Sequence, residues 1–555
     1  MKAPASVLLL ATVATVVLVL ERADTRAQTP ASSAASAAST IAMHADPDTL
    51  FKTGGSCMPC HNGLTTPSGE DVSIGIDWRA SMMANSARDP YWQAGVRREI
   101  ADHPSLAAEI EDECSTCHMP MSRATARAND RTGQVFSHLP VNDRDEEEDQ
   151  LAHDGVSCTA CHQISADKLG TRDSFNGGFV VAAKQPTPRP IFGPFAIERG
   201  LGTVMRSSAE FQPTEALHVR SSELCATCHT LITKARGPGG AVIGELPEQV
   251  MFQEWQHSAY RAEQRSCQSC HMPVVREPTP IASMLGQPRE GLARHVFVGG
   301  NFFMLRMLNR FRVDLGVTAL PVELEASARR TVAFLQEQTA TVAVGASSLS
   351  AGRLAFDVAV EDLAGHKFPT GYPSRRAWLH VTVRDRNGRA VFESGAMRPT
   401  GLIEGNDGDT DAAKFEPHYA EIREPDQVQI YESIMGDSAG RPTTGLLSGV
   451  RYLKDNRLLP RGFDKATAPE WVRVVGGAAE DTDFTGGADR VRYSVAVGGS
   501  EGPHQIEVEL RFQPIGFRWA NNLSAYNATE AQRFVGYYNS MSAASSEVVA
   551  KATGR

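Results

Sequence analysis

Cys57-Met-Pro-Cys60-His61 is the first of five copies of the pattern C-x-x-C-H between residues 57 and 271. The other copies are Cys114-Ser-Thr-Cys117-His118, Cys158-Thr-Ala-Cys161-His162, Cys225-Ala-Thr-Cys228-His229 and Cys267-Gln-Ser-Cys270-His271. They use all ten cysteines of the chain, and we number them motif 1 to motif 5 in sequence order. The pattern is the attachment signature of a c-type haem, in which two cysteines form thioethers and the histidine ligates the iron.

Zinc is the main alternative for closely spaced cysteines. A zinc site would need paired motifs that close a tetrahedron, and it would not need a histidine after every second cysteine. The sequence therefore predicts five covalent haems, with the five motif histidines as proximal iron ligands.

The composition is that of an ordinary globular protein. Its 555 residues are 41% hydrophobic and 22% charged, and the length suggests three or four domains. The net charge of −10 and the absence of a basic stripe argue against nucleic acid as a partner.

The N-terminus has the pattern of a secretory signal peptide. Lys2 precedes an apolar run over residues 7–20, and Thr25-Arg26-Ala27 gives a cleavage site. We expect a signal peptide over residues 1–27, with an uncleaved anchor as the alternative, and a flexible Ser/Ala-rich leader over residues 28–47. No other apolar run is long enough to span a membrane. Export predicts a periplasmic or extracellular protein.

Residues 48–315 are expected to form a pentahaem domain. The motifs start 57, 44, 67 and 42 residues apart, so each segment is too short to bury its own core without the macrocycle. We expect short helices, loops and almost no sheet. Helices are predicted over residues 89–101 and 302–313.

The C-terminal half changes periodicity. An amphipathic connecting helix is predicted within residues 316–340, and apolar alternation of period two follows. We expect a sandwich-like all-β domain over residues 341–528 and a helical tail over 529–555. The predicted fold class is α+β, with a mainly helical, loop-rich haem domain and a C-terminal β domain.

The motifs and their flanking residues resemble the multihaem cytochrome c superfamily. The form C-x-x-C-H-M-P occurs at residues 114–120 and 267–273, and Trp78-Arg-Ala-Ser81 looks like a segment that precedes a distal ligand. The superfamily contains hydroxylamine oxidoreductase, pentahaem nitrite reductase and the tetrahaem cytochrome of ammonia oxidisers. The resemblance implies closely packed haems that conduct electrons.

Two C-terminal segments, residues 365–371 and 454–457, look like the appendage of many multihaem cytochromes. One departure matters for function. Pentahaem nitrite reductase has lysine in place of one motif histidine, whereas all five motifs here end in histidine. The nitrite-reductase active site therefore does not carry over.

Each haem iron also needs a distal ligand or an open site. His153 and His218 lie too close to their own motifs to reach around the same ring, so we expect them to ligate neighbouring haems. His295 lies among glycines that permit close approach to a flat ring, and His366 lies in a loop between two strands. For each of these four, an ordinary surface histidine is the alternative.

The fifth distal ligand is predicted less directly. Met83 stands where a histidine would be expected and could ligate the iron of His61, or it could pack on the ring as apolar filler. Three histidines elsewhere compete for the place: His103, His257 and His418. His44 could reach a haem or lie in the solvated leader, and His380 is expected to face solvent or a domain interface.

A calcium site is a further hypothesis. Asp407, Asp409 and Asp411 alternate in a loop that contains a glycine, as oxygen ligands of calcium do. An acidic surface turn is the commoner meaning of this pattern.

The function favoured by these observations is an exported pentahaem carrier that moves single electrons to and from redox partner proteins. An enzyme is the alternative, namely a reductase of a small nitrogen or sulfur oxyanion with one open-site haem. A third hypothesis makes the β domain an interaction module of a homo-oligomer or an extracellular electron-transfer assembly.

Overall fold

The computed structural model describes residues 50–141, 146–182 and 188–555. The predicted signal peptide, the leader and His44 lie outside the described residues. The described residues belong to one compact unit. Among the described residues, no helix has the length and apolar character needed to cross a bilayer.

The first part of the chain consists of short helices joined by loops. Asp89 caps the N-terminus of one of them by accepting the backbone N–H groups of Tyr91 and Trp92, and Pro90 occupies its first turn. The helices are α1 (Met58–His61), α2 (Ile74–Arg79), α3 (Pro90–Asp102), α4 (Ala107–His118), α5 (Pro120–Ala128), α6 (Glu147–His153), α7 (Cys158–His162), α8 (Arg199–Ala209), α9 (Ser222–His229), α10 (Met251–Gln256), α11 (Ala259–Ala262), α12 (Cys267–His271), α13 (Phe302–Arg310) and α14 (Pro321–Gln338).

This part also contains two small sheets, which the expectation of almost no sheet did not include. Strands β1 (Arg189–Gly193) and β2 (Phe211–Glu215) pair in parallel, and β3 (Leu231–Arg236) and β4 (Val242–Gln249) form an antiparallel hairpin. The hairpin buries Ile232, Ala235 and Leu246. Tertiary burial of one face therefore stabilises strands whose own sequence pattern is weak.

The remaining strands form two larger sheets. They are β5 (Ala340–Val344), β6 (Ser348–Ser350), β7 (Arg353–Asp362), β8 (Arg376–Arg384), β9 (Ala390–Ser394), β10 (Glu421–Ile422), β11 (Ile430–Gly436), β12 (Pro442–Thr443), β13 (Arg451–Asp455), β14 (Ala488–Ala496), β15 (Gln505–Gln513) and β16 (Glu547–Gly554). One sheet has the order β10-β14-β7-β5 with β6 on β7, and the other has β12-β11-β8-β15-β16 with β13 on β11 and β9 on β8. Helices and sheets together confirm the α+β prediction.

Register explains why these strands alternate apolar and polar residues. Val358 pairs with Val491 and Phe356 with Tyr493, while Val381 pairs with Val508. All of these side chains are buried, because residues two apart on a strand share one face. The apolar faces of both sheets belong to one buried cluster.

Helix α13 lies in the same cluster and is buried on more than one face. Phe302, Phe303, Leu305 and Met307 are all at most 3% exposed. The predicted helix extended to residue 313 with one apolar face, whereas the observed helix ends at Arg310. Its side chains contact the β strands, since the ring of Phe302 lies 6.4 Å from that of Phe512.

The C-terminal tail differs from its prediction. After α15 (Asp407–Thr410) and α16 (Phe517–Asn522), helix α17 (Thr529–Met541) ends well before residue 549, and the chain finishes in strand β16. Strand β16 pairs with β15 from Ile506 to Phe512. The tail becomes a strand because the exposed edge of β15 supplies hydrogen-bonding partners that a local pattern cannot reveal.

Candidate functional site

The five motifs have the same local structure. In each, the histidine is the last residue of a helix, and the two cysteines precede it by four and one residues. Residues three and four apart share a helix face, so the first cysteine, the second cysteine and the histidine project to one side. None of the ten cysteines forms a disulfide. The motifs thus offer two thiols and one imidazole to the same side of a helix end.

Backbone carbonyl groups orient four of the five motif histidines. A carbonyl oxygen only accepts, so the ring Nδ1–H donates and Nε2 is left free for a metal. The pairs are His61 with Ile281 (2.7 Å), His118 with Ser86 (2.9 Å), His162 with Phe192 (2.6 Å) and His271 with Val298 (2.6 Å). Metal-ligating histidines have this second hydrogen bond as a rule.

Two further histidines face motif histidines across a gap of the right width for a metal ion. The ring centroids of His162 and His295 are 6.2 Å apart, and those of His271 and His366 are 6.1 Å apart. An imidazole nitrogen lies about 2 Å from a metal that it binds, so rings on opposite sides of one ion have centroids about 6 Å apart. His295 and His366 also donate Nδ1–H to backbone carbonyls, at 3.0 and 2.9 Å.

Burial keeps these imidazoles neutral. It lowers the pKa of His118 and His271 to about 4 and that of His295 to about 3, and it also lowers the pKa of His366. Neutral imidazole is the form that ligates a metal. The electrostatics and the hydrogen bonds therefore favour the same role.

The structure places the other predicted distal ligands differently. Nε2 of His153 donates to the carbonyl of His138 at 2.5 Å, and Nε2 of His218 donates to that of Ile164 at 2.7 Å. Only Nδ1 of these rings is left for a metal. Among the described residues, no second imidazole faces His61, His118 or His229 as His295 faces His162.

Met83 lies beside motif 3. Its carbonyl accepts the N–H of Val156, two residues before Cys158, at 3.0 Å. None of the contacts found among the described residues joins its side chain to His61. Its assignment to the iron of His61 stays a prediction, as do those of His153 and His218.

Cysteine side chains from different motifs are neighbours, and they show how the motifs are arranged. Interaction between Cys57 and Cys158 lowers the pKa of the first thiol and raises that of the second, which places motif 1 beside motif 3. The other neighbouring pairs are Cys117 with Cys228, Cys225 with Cys267, and Cys161 with Cys228. Motif 4 is therefore next to motifs 2, 3 and 5.

The loop that carries His366 joins β7 to β8, and buried charged residues hold it in place. Glu254 of α10 accepts the backbone N–H of Lys367 at 3.3 Å and the hydroxyl of Thr370 at 2.5 Å. Lys367 pairs with Asp455 at 2.7 Å, and Arg457 pairs with both Asp455 and Glu254 at 2.8 Å. Although burial raises it, the pKa of Asp455 is held far below its usual range by Arg457 and Lys367.

Arg375, in the same loop, is a partly buried cation without an ion pair among the described residues. Its guanidinium donates to the carbonyl of Thr370 at 2.7 Å and to Oδ1 of Asn301 at 3.1 Å. Burial lowers its pKa to about 10. After burial, the charge of Arg375 is the next cause of the lowered pKa of His229.

The three aspartates of the calcium hypothesis do not converge. Asp409 makes a two-pronged ion pair with Arg376 at 2.7 and 2.9 Å, and Asp407 pairs with Lys414 at 3.1 Å. Asp411 instead accepts a backbone N–H of its own loop. Their oxygens are therefore committed to separate partners, and the residues do not fit a shared calcium ion.

A different group, His418, Asp481 and Asp489, has ligand atoms within 4.8 Å of one another. Nδ1 of His418 accepts from the amide nitrogens of Gln429 and Asn456, whose oxygens each accept a backbone N–H. Nε2 therefore carries the ring proton and donates it to Asp481 at 3.1 Å. Neither nitrogen is free for a metal, so this group is a hydrogen-bonded network.

The sequence did not predict the residues that support the histidines of the site. Glu254 and Arg375 carry no local signal, because a buried charge is recognised only once its surroundings are folded. The carbonyl groups that orient the histidines have no side-chain signature at all. The only hint was the likeness of residues 365–371 and 454–457 to an appendage, and these two segments meet at the Lys367–Asp455 pair.

The described residues fit covalent haem at the motifs, since free paired cysteines, neutral oriented imidazoles and facing histidines occur together. No protein-family model and no curated protein matches the chain. The structure is similar to that of a penta-heme cytochrome c552 from Thermochromatium tepidum, with a TM-score of 0.50 and 14% sequence identity. The likeness covers 91% of this chain and 99% of that chain, and at this identity it is a likeness of fold.

Proposed function

We propose that the protein is an exported pentahaem c-type cytochrome that transfers single electrons along its covalently bound haems. The observation that carries the proposal is the pair of histidines, His295 and His366, that face motif histidines at about 6 Å with their Nδ1–H groups bound to carbonyls. When bound, haem supplies one-electron exchange between ferric and ferrous iron.

The chain's own residues set the conditions for that exchange. Two imidazoles on one iron give a six-coordinate, low-spin centre suited to electron transfer. The carbonyl groups of Val298 and Lys367 hold the rings of His271 and His366 in orientation, which limits rearrangement when the charge of the iron changes. The neighbouring cysteines of motifs 1, 3, 4 and 5 support close spacing along a continuous series.

The strands contribute to the site through His366. Because this residue lies between β7 and β8, the C-terminal part supplies an iron ligand and is better described as part of the electron carrier than as an independent interaction module. The likeness of fold to the penta-heme cytochrome c552 supports the same function. Export is proposed on the N-terminal pattern of residues 1–27.

The test is a haem count on the purified exported protein, followed by electron paramagnetic resonance. We expect five haems per chain that remain attached after denaturation. His366→Ala should convert one low-spin signal to a high-spin signal, because the iron loses its sixth ligand. His380→Ala is the matched control, since His380 contacts carboxylates of neighbouring strands and faces no motif. Fewer than five attached haems, or an unchanged spectrum in His366→Ala, would contradict the proposal.

A reductase of a small nitrogen or sulfur oxyanion is the second candidate, and Arg375 favours it. A partly buried cation near His229, without a carboxylate partner among the described residues, suits an anion close to that motif. The same spectrum discriminates. A high-spin signal in the unmodified protein that shifts on addition of nitrite would favour the reductase, and five low-spin centres unaffected by nitrite would exclude it.

A further inference from the structure

The five motifs differ in how they lie relative to the protein surface. Pro59 of motif 1 and Ser269 of motif 5 are exposed. In the other three motifs, the two residues between the cysteines are at most 5% exposed: Ser115, Thr116, Thr159, Ala160, Ala226 and Thr227. Motifs 1 and 5 are therefore at the surface, and motifs 2, 3 and 4 are interior.

The two surface motifs are the ends of one series. Thr159 of motif 3 donates its hydroxyl to the carbonyl of Lys52, five residues before motif 1, at 2.6 Å. His218, seven residues before motif 4, donates to the carbonyl of Ile164, two residues after motif 3, at 2.7 Å. Cys267 of motif 5 donates its N–H to Ser222, the first residue of the motif 4 helix, at 3.1 Å. Motif 2 is joined to motif 4 as a side branch. Exchange with a partner protein needs a surface end, so it has two places to occur.

The motif 5 end is positively charged on an acidic protein. Residues 258–276 contain three arginines and one glutamate, for a formal charge of +2, whereas the whole chain carries −10. Equal windows around motifs 2 and 3 each carry −3, and the window around motif 1 carries zero. The single glutamate, Glu263, is paired with Arg461.

One of these arginines contacts the motif itself, and a second lies on the short helix α11 that precedes it. Nη2 of Arg265 donates to Sγ of Cys270 at 3.5 Å, and its guanidinium lies 4.5 Å from the centre of the Tyr260 ring. Arg261 is exposed and makes no ion pair among the described residues. Both arginines are exposed in the segment that leads into the attachment helix of motif 5, so their charges are available to a partner there.

The motif 1 end presents a different surface. The loop beside it exposes Met284 and Leu285, at 58% and 68%, and is tied to the motif by the N–H of Ser283, which donates to the carbonyl of Cys60 at 2.8 Å. An apolar loop without excess charge does not select a charged partner.

We propose that the surface formed by Arg261 and Arg265, next to motif 5, is the docking site for an acidic redox protein. Complementary charge raises the association rate and orients the encounter, and the overall negative charge of the chain disfavours acidic partners elsewhere. The inference rests on the proposed function and adds to it the charge of the partner and the end at which that partner binds.

The experiment uses the complete haem-loaded protein and a reduced, acidic plant-type ferredoxin as the probe. In each encounter the ferredoxin cluster is oxidised by one electron and one ferric haem iron becomes ferrous. We expect Arg261→Glu and Arg261→Glu/Arg265→Gln to lower the second-order rate at low ionic strength, by about tenfold for the double variant. The wild-type rate should fall steeply with added salt, because screening acts beyond about 10 Å at 0.1 M.

Matched variants decide the outcome. Arg490→Glu makes the same charge change at an exposed arginine of β14, outside the motif 5 segment, and should leave the rate within about twofold of wild type. A rate unchanged in both Arg261 variants, or lowered instead by Leu285→Ser at the motif 1 end, would overturn the proposal. If the wild type showed no haem absorbance, the proposed function itself would be contradicted. A normal haem spectrum together with unchanged rates in the Arg261 variants would contradict only the docking proposal.

Discussion

At the residue scale, the histidines fall into two groups, which differ in the hydrogen-bond partner of the ring nitrogens. The rings that face one another donate to backbone carbonyls and have lowered pKa values. His380 on β8 instead lies between two carboxylates, 3.0 Å from Glu393 and 3.6 Å from Glu509. Burial lowers its pKa, but the hydrogen bonds and charges of Glu509 and Glu393 raise it overall. His380 is therefore a cross-strand ion-pair partner, with 20% of its side chain exposed.

This environment predicts a pH dependence of stability. The raised pKa of His380 stabilises the fold fully below its unfolded value of 6.5, and this contribution is lost as the pH rises through the folded value. The pKa of Glu509, lowered to about 2, adds stability above 4.5 that is lost as the pH falls through the folded value. The His380–Glu509 pair therefore stabilises the fold most between pH 4.5 and pH 6.5, the unfolded pKa values of the two groups.

We expect His380→Gln to lower the free energy of unfolding near pH 5.5, by less than about 1 kcal/mol since the pair is partly exposed. The difference from wild type should shrink as the pH rises through the raised pKa of His380, because the histidine then loses its charge. Denaturant unfolding of both proteins across a pH series measures this. A difference that is independent of pH would contradict the role given to His380.

At the element scale, the loop between β7 and β8 depends on a charge network that links it to α10 and β13. Lys367 and Glu254 have no exposed side-chain surface, and Asp455 has 3%. Each charge is matched by an opposite one at 2.7 or 2.8 Å. Such a network keeps its members satisfied only while it is complete.

Asp455→Asn should therefore cost about 3–5 kcal/mol of unfolding free energy, because Lys367 and Arg457 lose the carboxylate between them. Asp437→Asn is the control. It breaks an exposed pair with Arg441, whose side chain is 75% exposed, and should cost less than about 1 kcal/mol. Denaturant unfolding compares the two variants. Equal losses would show that the buried network does not stabilise the loop.

At the scale of the whole molecule, the helices around the motifs and the strands share one core. Helix α17, near the C-terminus, packs on α3, which lies between motifs 1 and 2. The ring of Phe534 lies 4.9 Å from that of Tyr91, and the Arg97–Glu530 ion pair, at 3.0 Å, joins the same two helices. Phe534 has no exposed surface. We infer that the two halves unfold together.

Phe534→Ala should lower the free energy of unfolding by about 3–5 kcal/mol, because it leaves a cavity in the shared core. The haem absorbance and the far-ultraviolet circular dichroism of wild type and variant should change in one coincident transition. An exposed residue of the same helix, Gln532, gives the control, since Gln532→Ala removes only surface contacts. Two separate transitions would contradict a single cooperative unit.

Much of the fold follows from local pattern. The alternating residues of β7, β8, β14 and β15 and the amphipathic α14 lie where their periodicity predicts them. The strand β16 and the β3–β4 hairpin were not predicted, because each depends on a neighbour that buries or pairs it. The domain boundaries at residues 315 and 340 stay predictions, and residues on both sides of them belong to one compact unit.

For the site, the local sequence is sufficient to predict the haem-attachment residues, namely the two cysteines and the histidine of each motif. A C-x-x-C-H segment brings its own three groups to one face of a helix end, so no distant residue is needed to recognise it. The histidines on the opposite side of each iron position are brought there only by folding. His295 lies 133 residues from His162, and His366 lies 95 residues from His271. The chain path alone brings each ring to its partner, and backbone carbonyls and buried charges with no sequence signature hold it there.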